Sequence, residues 1–347
     1  MTVRELIDEL QKLPQDSIVS LCVDRNFGIR ELYSVEYRGF GLVYLNDKYW
    51  TPYSEEDGGC GLFAAFFIFE RRKIMPINDE LGKRMKENYE QVPKYRLMRR
   101  TPVIIRIDGK AFHSFTKGFN RPFDEVLGNA MTKTLEYLCQ NIQGCIFGYK
   151  QSDEISLVLQ DYKKFNSDAW FDYEIQKMCS IAASMTTMAF NRFFNEEASK
   201  FSRENICGCC RENNVSRYLY RTDEAERLAK AYEKARDKGA MFDTRVFNIP
   251  KEEVVNCIYW RQVDAARNSV QMVGQANFSH RELQGKSCNA IQDMLHEQKG
   301  INWNDYPTEW KRGVCWTRDG GLDYDMPMLK GEDRKYLEKL VWYQEEE

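Results

Sequence analysis

No stretch of the 347 residues is apolar for long enough to cross a bilayer. The aromatic and aliphatic run FAAFFIF at 63–69 has only the length of a strand. A secretory leader is missing as well, because MTVRELIDEL carries charges where such a leader needs an apolar core. There is no excess of positive charge: 50 Lys and Arg face 53 Asp and Glu, the net charge is -3 and the pI is near 5.9. That balance excludes a general nucleic-acid binder, so any affinity for a polyanion has to come from a local patch or an oligomer surface. Histidine is scarce, with three in the chain. Cysteine is not, but the 11 cysteines are odd in number and scattered through apolar segments, a pattern that argues against a disulfide framework. Free thiols imply a reducing compartment, and the expected location is cytoplasmic. With 43% hydrophobic residues the chain has ample material for a packed core, and its length suits one principal domain with a smaller appendage.

In chain order, a capping box from Thr2 to Glu5 opens a short amphipathic helix that Pro14 ends. Residues 18–23, 32–37, 41–45 and 62–69 then read as strands of a small sheet, and the acidic, glycine-containing stretch 54–61 as an exposed loop. Nothing in residues 1–75 clusters chemistry-bearing side chains. The polar break around Pro76 marks the expected boundary. From Asp79 a charged segment reads as a helix leading into the next strand, with Arg84, Lys86, Lys94, Arg96, Arg99 and Arg100 giving a local positive bias.

The organising stretch is 102–159. Val103, Ile104 and Ile105 form a β-branched run that ends at Asp108-Gly109. Between Val126 and Ile142 apolar residues recur at helical spacing, Cys145 to Tyr149 form a second apolar run, and Lys150 to Glu154 form a polar turn before a strand at 155–159. This order of strand, helix, strand, strand gathers Asp108, Asp153 and Glu154 at one sheet edge. Unpaired, these carboxylates repel, and hard oxygen ligands suit Mg²⁺ together with substrate phosphates. Each turn taken alone also fits an ordinary solvated turn. Consecutive amides after Gly109 suit an anion-binding nest.

RIDGKAFHSF with the following RPFD, then QSDEISLVL, FDTRVFNIP and WRQVDAARNS, resembles the histidine-tRNA guanylyltransferase family and its Thg1-like branch, in the family's order, across roughly residues 79–318. The resemblance implies an α+β fold with a polymerase-palm-like antiparallel sheet flanked by helices, preceded by a small N-terminal α+β appendage. It divides the chain into an accessory module at 1–75, a catalytic nucleotidyltransferase domain at 76–320 with an insertion at 195–238, and a C-terminal tail at 321–347. The implied activity is Mg²⁺-dependent addition of nucleotides to the 5′ end of tRNA or a tRNA-like RNA, through an adenylylated 5′ end, with two Mg²⁺ ions per site, ATP and GTP or other nucleoside triphosphates as substrates, and a homotetrameric assembly.

Carried over residue by residue, the resemblance makes Asp108, Asp153 and Glu154 catalytic, and Asp108, Asp153 and the Gly109 carbonyl metal ligands. Asp108, Gly109, Lys110, Ala111, Phe112, His113, Ser152 and Asp153 then form the nucleotide site. Glu154 either ligates or holds neighbouring groups by hydrogen bonds. Arg121 before Pro122, Lys177 at the head of the apolar helix IQKMCSIAASMTTMAFNRFF, and Arg267 with Asn268 are the phosphate or RNA contacts. WRQVD also suits an aromatic anchor with a polar network that locks a helix to the sheet. Where enzymes that act on histidine tRNA carry a HINNLYN-type motif, this chain has Ala266 to Gln271 and lacks the histidine, which favours the template-directed 5′-end repair branch.

Cys207, Cys209 and Cys210 lack the paired spacing of a structural zinc site and read as free thiols. Residues 222–239 read as a charged helix with a glycine stop, and Pro250 as the first-turn residue of a long helix. Gly285-Lys286-Ser287 lacks the strand and upstream glycine of a phosphate loop. The aromatics of 299–316, interleaved with Lys299, Lys311 and Arg312, suit core packing or an RNA-facing surface equally. A nucleotide cyclase and a non-catalytic RNA-binding protein are the rival readings.

Overall fold

The computed structural model describes residues 80–164, 166–206, 220 and 222–342, with the backbone of residue 79 and of four strands before it. The chain divides into two compact units, Met1–Pro93 and Lys94–Glu347, so the division falls inside the charged segment, eighteen residues past the boundary expected at residue 75. In the first unit, strands β1 (Ser17–Ser20), β2 (Leu32–Tyr37), β3 (Leu42–Asp47) and β4 (Ala65–Glu70) form an antiparallel sheet in the order β1-β4-β3-β2. The helix expected near residues 2–10 and the loop at 54–61 lie outside the described residues. Helix α1 (Asp79–Met85) passes into one wider turn, Lys86–Glu90, and stops there. The expected helix does not run on to the next strand, because Pro93 lacks the N–H a helix needs and biases the residue before it to extended backbone.

The second unit is built on a six-stranded sheet in the order β10-β9-β6-β7-β5-β8, with every neighbouring pair antiparallel. Its strands are β5 (Val103–Gly109), β6 (Cys145–Gln151), β7 (Glu154–Leu159), β8 (Phe242–Asn248), β9 (Val314–Thr317) and β10 (Gly321–Asp323). Every residue of β6 and β7 is buried, as strands covered on both faces require. Alternation along β5 separates two cores. Val103, Ile105 and Ile107 pack with Met131, Leu135 and Leu138 of α3 (Glu125–Asn141) and Phe190 and Phe194 of α4 (Ile175–Asn205), after the one-turn helix α2 (Phe112–Phe115). Ile104 packs on the opposite face, in a core that includes Val158 and residues of α6 (Lys251–Asn277) and α10 (Lys335–Val341).

Aromatic rings make up much of the first core. Phe112, Phe115, Phe190 and Phe242 sit with centroids 5.1–5.7 Å apart, and Gly109 leaves room for the Phe112 ring that a Cβ would occupy. Glycine at 109 therefore serves this close approach of a protein ring. Asp124 caps α3 by accepting from Leu127 N at 2.9 Å, and it also accepts from the Tyr232 hydroxyl at 2.7 Å. That second bond ties α5 (Asp223–Lys238) to the start of α3. The apolar helix expected at 175–194 runs eleven residues further, to Asn205, inside the region read as an insertion. α5 begins at a Thr222 cap and ends at Gly239. Cys207, Cys209 and Cys210 lie outside the described residues. Pro250 takes the cap position of α6 and not its first turn.

Helices α7 (His280–Leu283), α8 (Cys288–Lys299) and α9 (Thr308–Arg312) complete the unit. The Ser279–Glu282 capping box is formed, and Ser287 caps α8 by accepting from Ala290 N. Of the aromatics at 299–316, Trp316 is core, while Trp303 donates to Ser269 Oγ at 3.0 Å. The segment read as a tail supplies β10 and buries Met326, Leu329, Leu337 and Val341 in the second core. Among the described residues no helix is long and apolar enough to cross a membrane. Truncating Phe190, which is fully buried within the ring cluster, is expected to cost about 3–5 kcal/mol, read as a lowered urea midpoint of Phe190→Ala at an unchanged slope.

Candidate active site

Strand register gathers the acidic residues. Asp108, near the end of β5, lies directly opposite Glu154 on β7 and Asp243 on β8, so three carboxylates share one face of three neighbouring strands. The turn between β6 and β7 is shorter than the polar run suggests. Lys150 and Gln151 belong to β6, and only Ser152 and Asp153 bridge Gln151 to Glu154. Ser152 takes a left-handed φ of 45°, a conformation that costs a non-glycine residue about 1 kcal/mol and that the flanking strands enforce. Asp153 is thereby held at the tip beside Asp108. Burial, first, and then the charges of Asp108 and Glu154 push its carboxyl up to about 6, against the lowering effect of bonds from its own backbone and Ser152.

Glu154 is committed elsewhere. Its two oxygens accept from Arg261 Nε and Nη2 at 2.6 and 2.8 Å and from Arg106 Nε and Nη2 at 3.1 and 3.0 Å. Of the two roles open to it in the sequence, this geometry is the holding one. Arg261 reaches on to Asp264 at 2.9 Å, and Asp264 accepts from Asn268 at 3.2 Å. Gln262, the next residue of the WRQVD segment, bonds Pro327 O and Leu329 N, both at 2.9 Å. Arginine and glutamine thus lock α6 in place as expected of that segment. Trp260 does not anchor: it is 55% exposed, with the Arg261 and Arg106 guanidiniums 4.5 and 5.3 Å from its ring. Arg106 and Asp243 were not singled out in the sequence. Arg106 sits two residues before Asp108 on an alternating strand, and that offset is the signal that placed it on the carboxylate face.

The glycine-following segment is divided. The Lys110 amide donates to Met241 O at 2.8 Å, so it is unavailable to a ligand, whereas Ala111 is left-handed (φ 53°, ψ 41°) just before helical Phe112, the alternation that turns successive amides to one side. The side chains of Lys110 and His113 are exposed. The Phe112 ring is buried in the aromatic cluster.

One expected phosphate contact, Lys177, lies away from the acidic tip. Asn191 of α4 bonds Ala240 at the end of β8 nearest Asp108, and Lys177 precedes it by fourteen residues, about 21 Å along the helix. Lys177 lies at the opposite end of the sheet, its ammonium 5.0 Å from the Phe171 ring. Arg121 is exposed and lines a cleft of about 520 Å³ with His280, Lys286 and Gln275. Arg267 is exposed on α6. Arg99 is engaged by Asp161 at 2.7 Å and Asp172 at 3.3 Å. Asn268 does join the tip residues, since with Ser152 it lines a cleft between α3, β6 and α6. The buried Lys150 lines this cleft too, and burial lowers its pKa from 10.5 to about 8.

A two-faced antiparallel sheet with a paired-carboxylate edge and an adjoining cleft defines a palm-type nucleotidyltransferase. Comparison with known proteins gives the family. The family model described as Thg1, tRNAHis guanylyltransferase, matches residues 82–250. A bacterial tRNA(His) guanylyltransferase (Thg1)-like protein solved in complex with ATP is 38% identical, covers 76% of this chain and 99% of its own, and superposes with a TM-score of 0.62. A second such bacterial structure, in complex with GTP, is 34% identical over 76% of this chain and 100% of its own, with a TM-score of 0.56. The tRNA(His) guanylyltransferase of Schizosaccharomyces pombe is 25% identical over 251 residues, 67% of this chain and 81% of that one. The chain belongs to the Thg1 family and is a nucleotidyltransferase.

Arg261→Ala is expected to destabilise the fold by about 3–5 kcal/mol because it strips a buried carboxylate of its main partner; Glu154→Gln with Arg261→Met should regain most of that in urea unfolding. The lysine penalty has its own pH signature. A folded pKa of about 8 against 10.5 means the cost of a buried ammonium is fully present below pH 8 and disappears as pH rises toward 10.5. Lys150→Met should therefore raise the melting temperature at pH 7, and the difference from wild type should shrink steadily above pH 8.

Proposed function

We propose that this chain adds nucleotides in the 3′–5′ direction to the 5′ end of tRNA or a tRNA-like RNA, as a template-directed repair of truncated ends. The observation that carries the reading is Asp108 at the end of β5 beside Asp153 at the tip of the β6–β7 hairpin, next to a cleft lined by Ser152 and Asn268. The relatives solved with ATP and with GTP support nucleoside triphosphates as substrates. Ala266 to Gln271, standing where the HINNLYN-type motif belongs, favours repair over guanylylation of histidine tRNA. Six free cysteines among the described residues favour a reducing, cytoplasmic setting, and the family resemblance favours a homotetramer.

The donor set fits Mg²⁺. Among the described residues no group of three or more His, Cys, Asp or Glu side chains is placed to hold a metal ion by itself, so a cation here would need the backbone and substrate phosphates as further ligands. Asp108, Asp153 and the Gly109 carbonyl offer hard oxygens and leave other positions to phosphates, and a carboxyl pushed up to about 6 by burial and like charge gains from a neighbouring cation. Bound there, two Mg²⁺ ions would supply charge neutralisation at the attacking and leaving oxygens of a phosphoryl displacement.

The chain's own residues position. Glu154, fixed by two arginines, sets the register of the tip, and amides from Ala111 onward offer donors to a triphosphate. In the first step a 5′-monophosphate attacks the α-phosphate of ATP and pyrophosphate leaves. In the second, the 3′-hydroxyl of a nucleoside triphosphate attacks the activated 5′ phosphate and AMP leaves.

Incubating a 5′-labelled monophosphate tRNA lacking its first nucleotide with ATP, the four nucleoside triphosphates and Mg²⁺ should give RNA longer by the templated residue. Asp153→Ala should lower that yield at least a hundredfold. Cyclic nucleotide formed without RNA, or no reaction at all, would overturn the proposal.

A further inference from the structure

The exposed face of α6 has a composition of its own. Trp260, Val263, Arg267, Gln271 and Gln275 recur at the spacing of one helical stripe and stand open to solvent, Gln271 in part. From Trp260 to Asn277 the helix carries one acid, Asp264, and Arg261 and Asn268 already bond it at 2.9 and 3.2 Å. In a chain with 53 acids against 50 bases, an acid-poor line of this length is a local departure. At its far end the cleft of about 520 Å³ brings Arg121, His280 and Lys286 to Gln271 and Gln275, and no Asp or Glu is among the described residues of its wall. Among the described residues, Arg121, Arg267 and Lys286 have no carboxylate within ion-pair distance.

This stripe passes the acidic end of the sheet. At Trp260 it adjoins the Glu154 clamp: the Arg106 and Arg261 guanidiniums stand 5.3 and 4.5 Å from the indole, and both grip the carboxylate opposite Asp108. Directly opposed side chains are about 5 Å apart, so the ring lies on the order of 15 Å from the Asp108 carboxyl. Because the two guanidiniums hold one carboxylate, they meet the ring from that side, and more than half of Trp260 is left open. Two turns further on, Asn268 shares a cleft with Ser152, the neighbour of Asp153, and one turn beyond it Gln271 reaches the Arg121 cleft. From Trp260 to Gln275 is about 22 Å along the helix, the length of about six stacked nucleotides at about 3.4 Å each.

We propose that this stripe of α6 is the track for the unpaired strand of the RNA, with Trp260 as a stacking platform for one of its bases and Arg267, Arg121 and Lys286 as partners of its phosphates. Adding a templated nucleotide to a truncated 5′ end requires the opposite, 3′ strand to run past the reacting phosphate unpaired. Such a strand brings negative charge to cations that have no acid of their own, and bare base faces to an exposed indole. An aromatic ring stacks on any base, so recognition of this kind leaves the choice of added nucleotide to the template. The inference rests on the repair reading above, and it names the surface that holds the template.

The test is equilibrium binding to the full-length protein, without nucleotide, of two hairpin RNAs with the same stem, one blunt and one with a 3′ overhang of about six nucleotides. Wild type should hold the overhang RNA about thirtyfold more tightly. Trp260→Ala should cut that preference about tenfold, and Trp260→Phe should restore most of it. Lys286→Ala and Arg267→Ala should each flatten the slope of log affinity against log salt by about 0.7, for the overhang RNA only. With wild-type protein, an overhang of abasic nucleotides should lose the same factor of about ten, whatever a variant does to the fold. Equal binding of the two RNAs overturns the proposal, and so does an overhang preference that survives both Trp260→Ala and the abasic strand. A Trp260→Ala protein that sediments as a smaller species overturns it too, since the ring would then join two copies of the chain. Weaker GTP binding by Lys286→Ala without RNA also overturns it, because the cleft would then take a triphosphate. If the overhang preference responds to Trp260 while 5′ extension fails, the track holds and the repair reading falls. If RNA is extended while the preference is unmoved, the repair reading holds and the track falls.

Discussion

The double guanidinium clamp on Glu154 is the constraint that organises the active unit. One carboxylate, buried at the start of β7, accepts from Arg106 of β5 and Arg261 of α6, so a single group joins two strands to the helix that crosses them. Without those cations the register of the sheet would oppose itself, because Asp243, Asp108 and Glu154 stand side by side on three strands. Two like charges 5 Å apart repel by about 3 kcal/mol at an effective dielectric constant near 20. Arg106 and Arg261 pair Glu154, and Arg245 pairs Asp243 at 3.3 Å, which leaves Asp108 as the remaining acid of the three, with Asp153 beside it at the hairpin tip.

The packing beneath the site has the same economy of position. Phe112, three residues past Gly109 at the strand end, drops into the ring cluster against Phe190 and Phe242, and that burial pins the turn from which Lys110 and His113 project into solvent. On the hairpin side, Ser152 accepts a left-handed backbone so that Lys150 and Gln151 stay in the ladder. The chemistry-bearing residues therefore stand where the two cores end, on rigid strands and not on a long loop.

Much of the architecture was legible in order and type. The β-branched run at 103–105, the helical spacing from 126 to 142 and the apolar runs on either side of QSDE correspond to β5, α3, β6 and β7. Where the reading failed, longer-range interactions intervened. The charged segment after Asp79 does not stay helical past Glu90, and the helix begun at Ile175 continues to Asn205 because Ala198 and Phe201 still find core to pack against. The C-terminal segment looked like a tail, since the apolar residues that place it in the second core are spaced among charged residues.

The sequence by itself determined which residues carry charge at the strand ends, the family resemblance, and hence the acids Asp108 and Asp153, because the alternation of short strands and the DG and QSDE turns are local features. Only the tertiary structure decided what each polar residue does. It turned Glu154 into a partner of arginines 48 and 107 residues away in the chain, set Lys177 at the far end of the sheet, and drew Lys150 from an expected turn into a buried strand. The physical reason is that burial and pairing depend on which face of a strand or helix meets which neighbour, and those meetings join residues far apart in the chain.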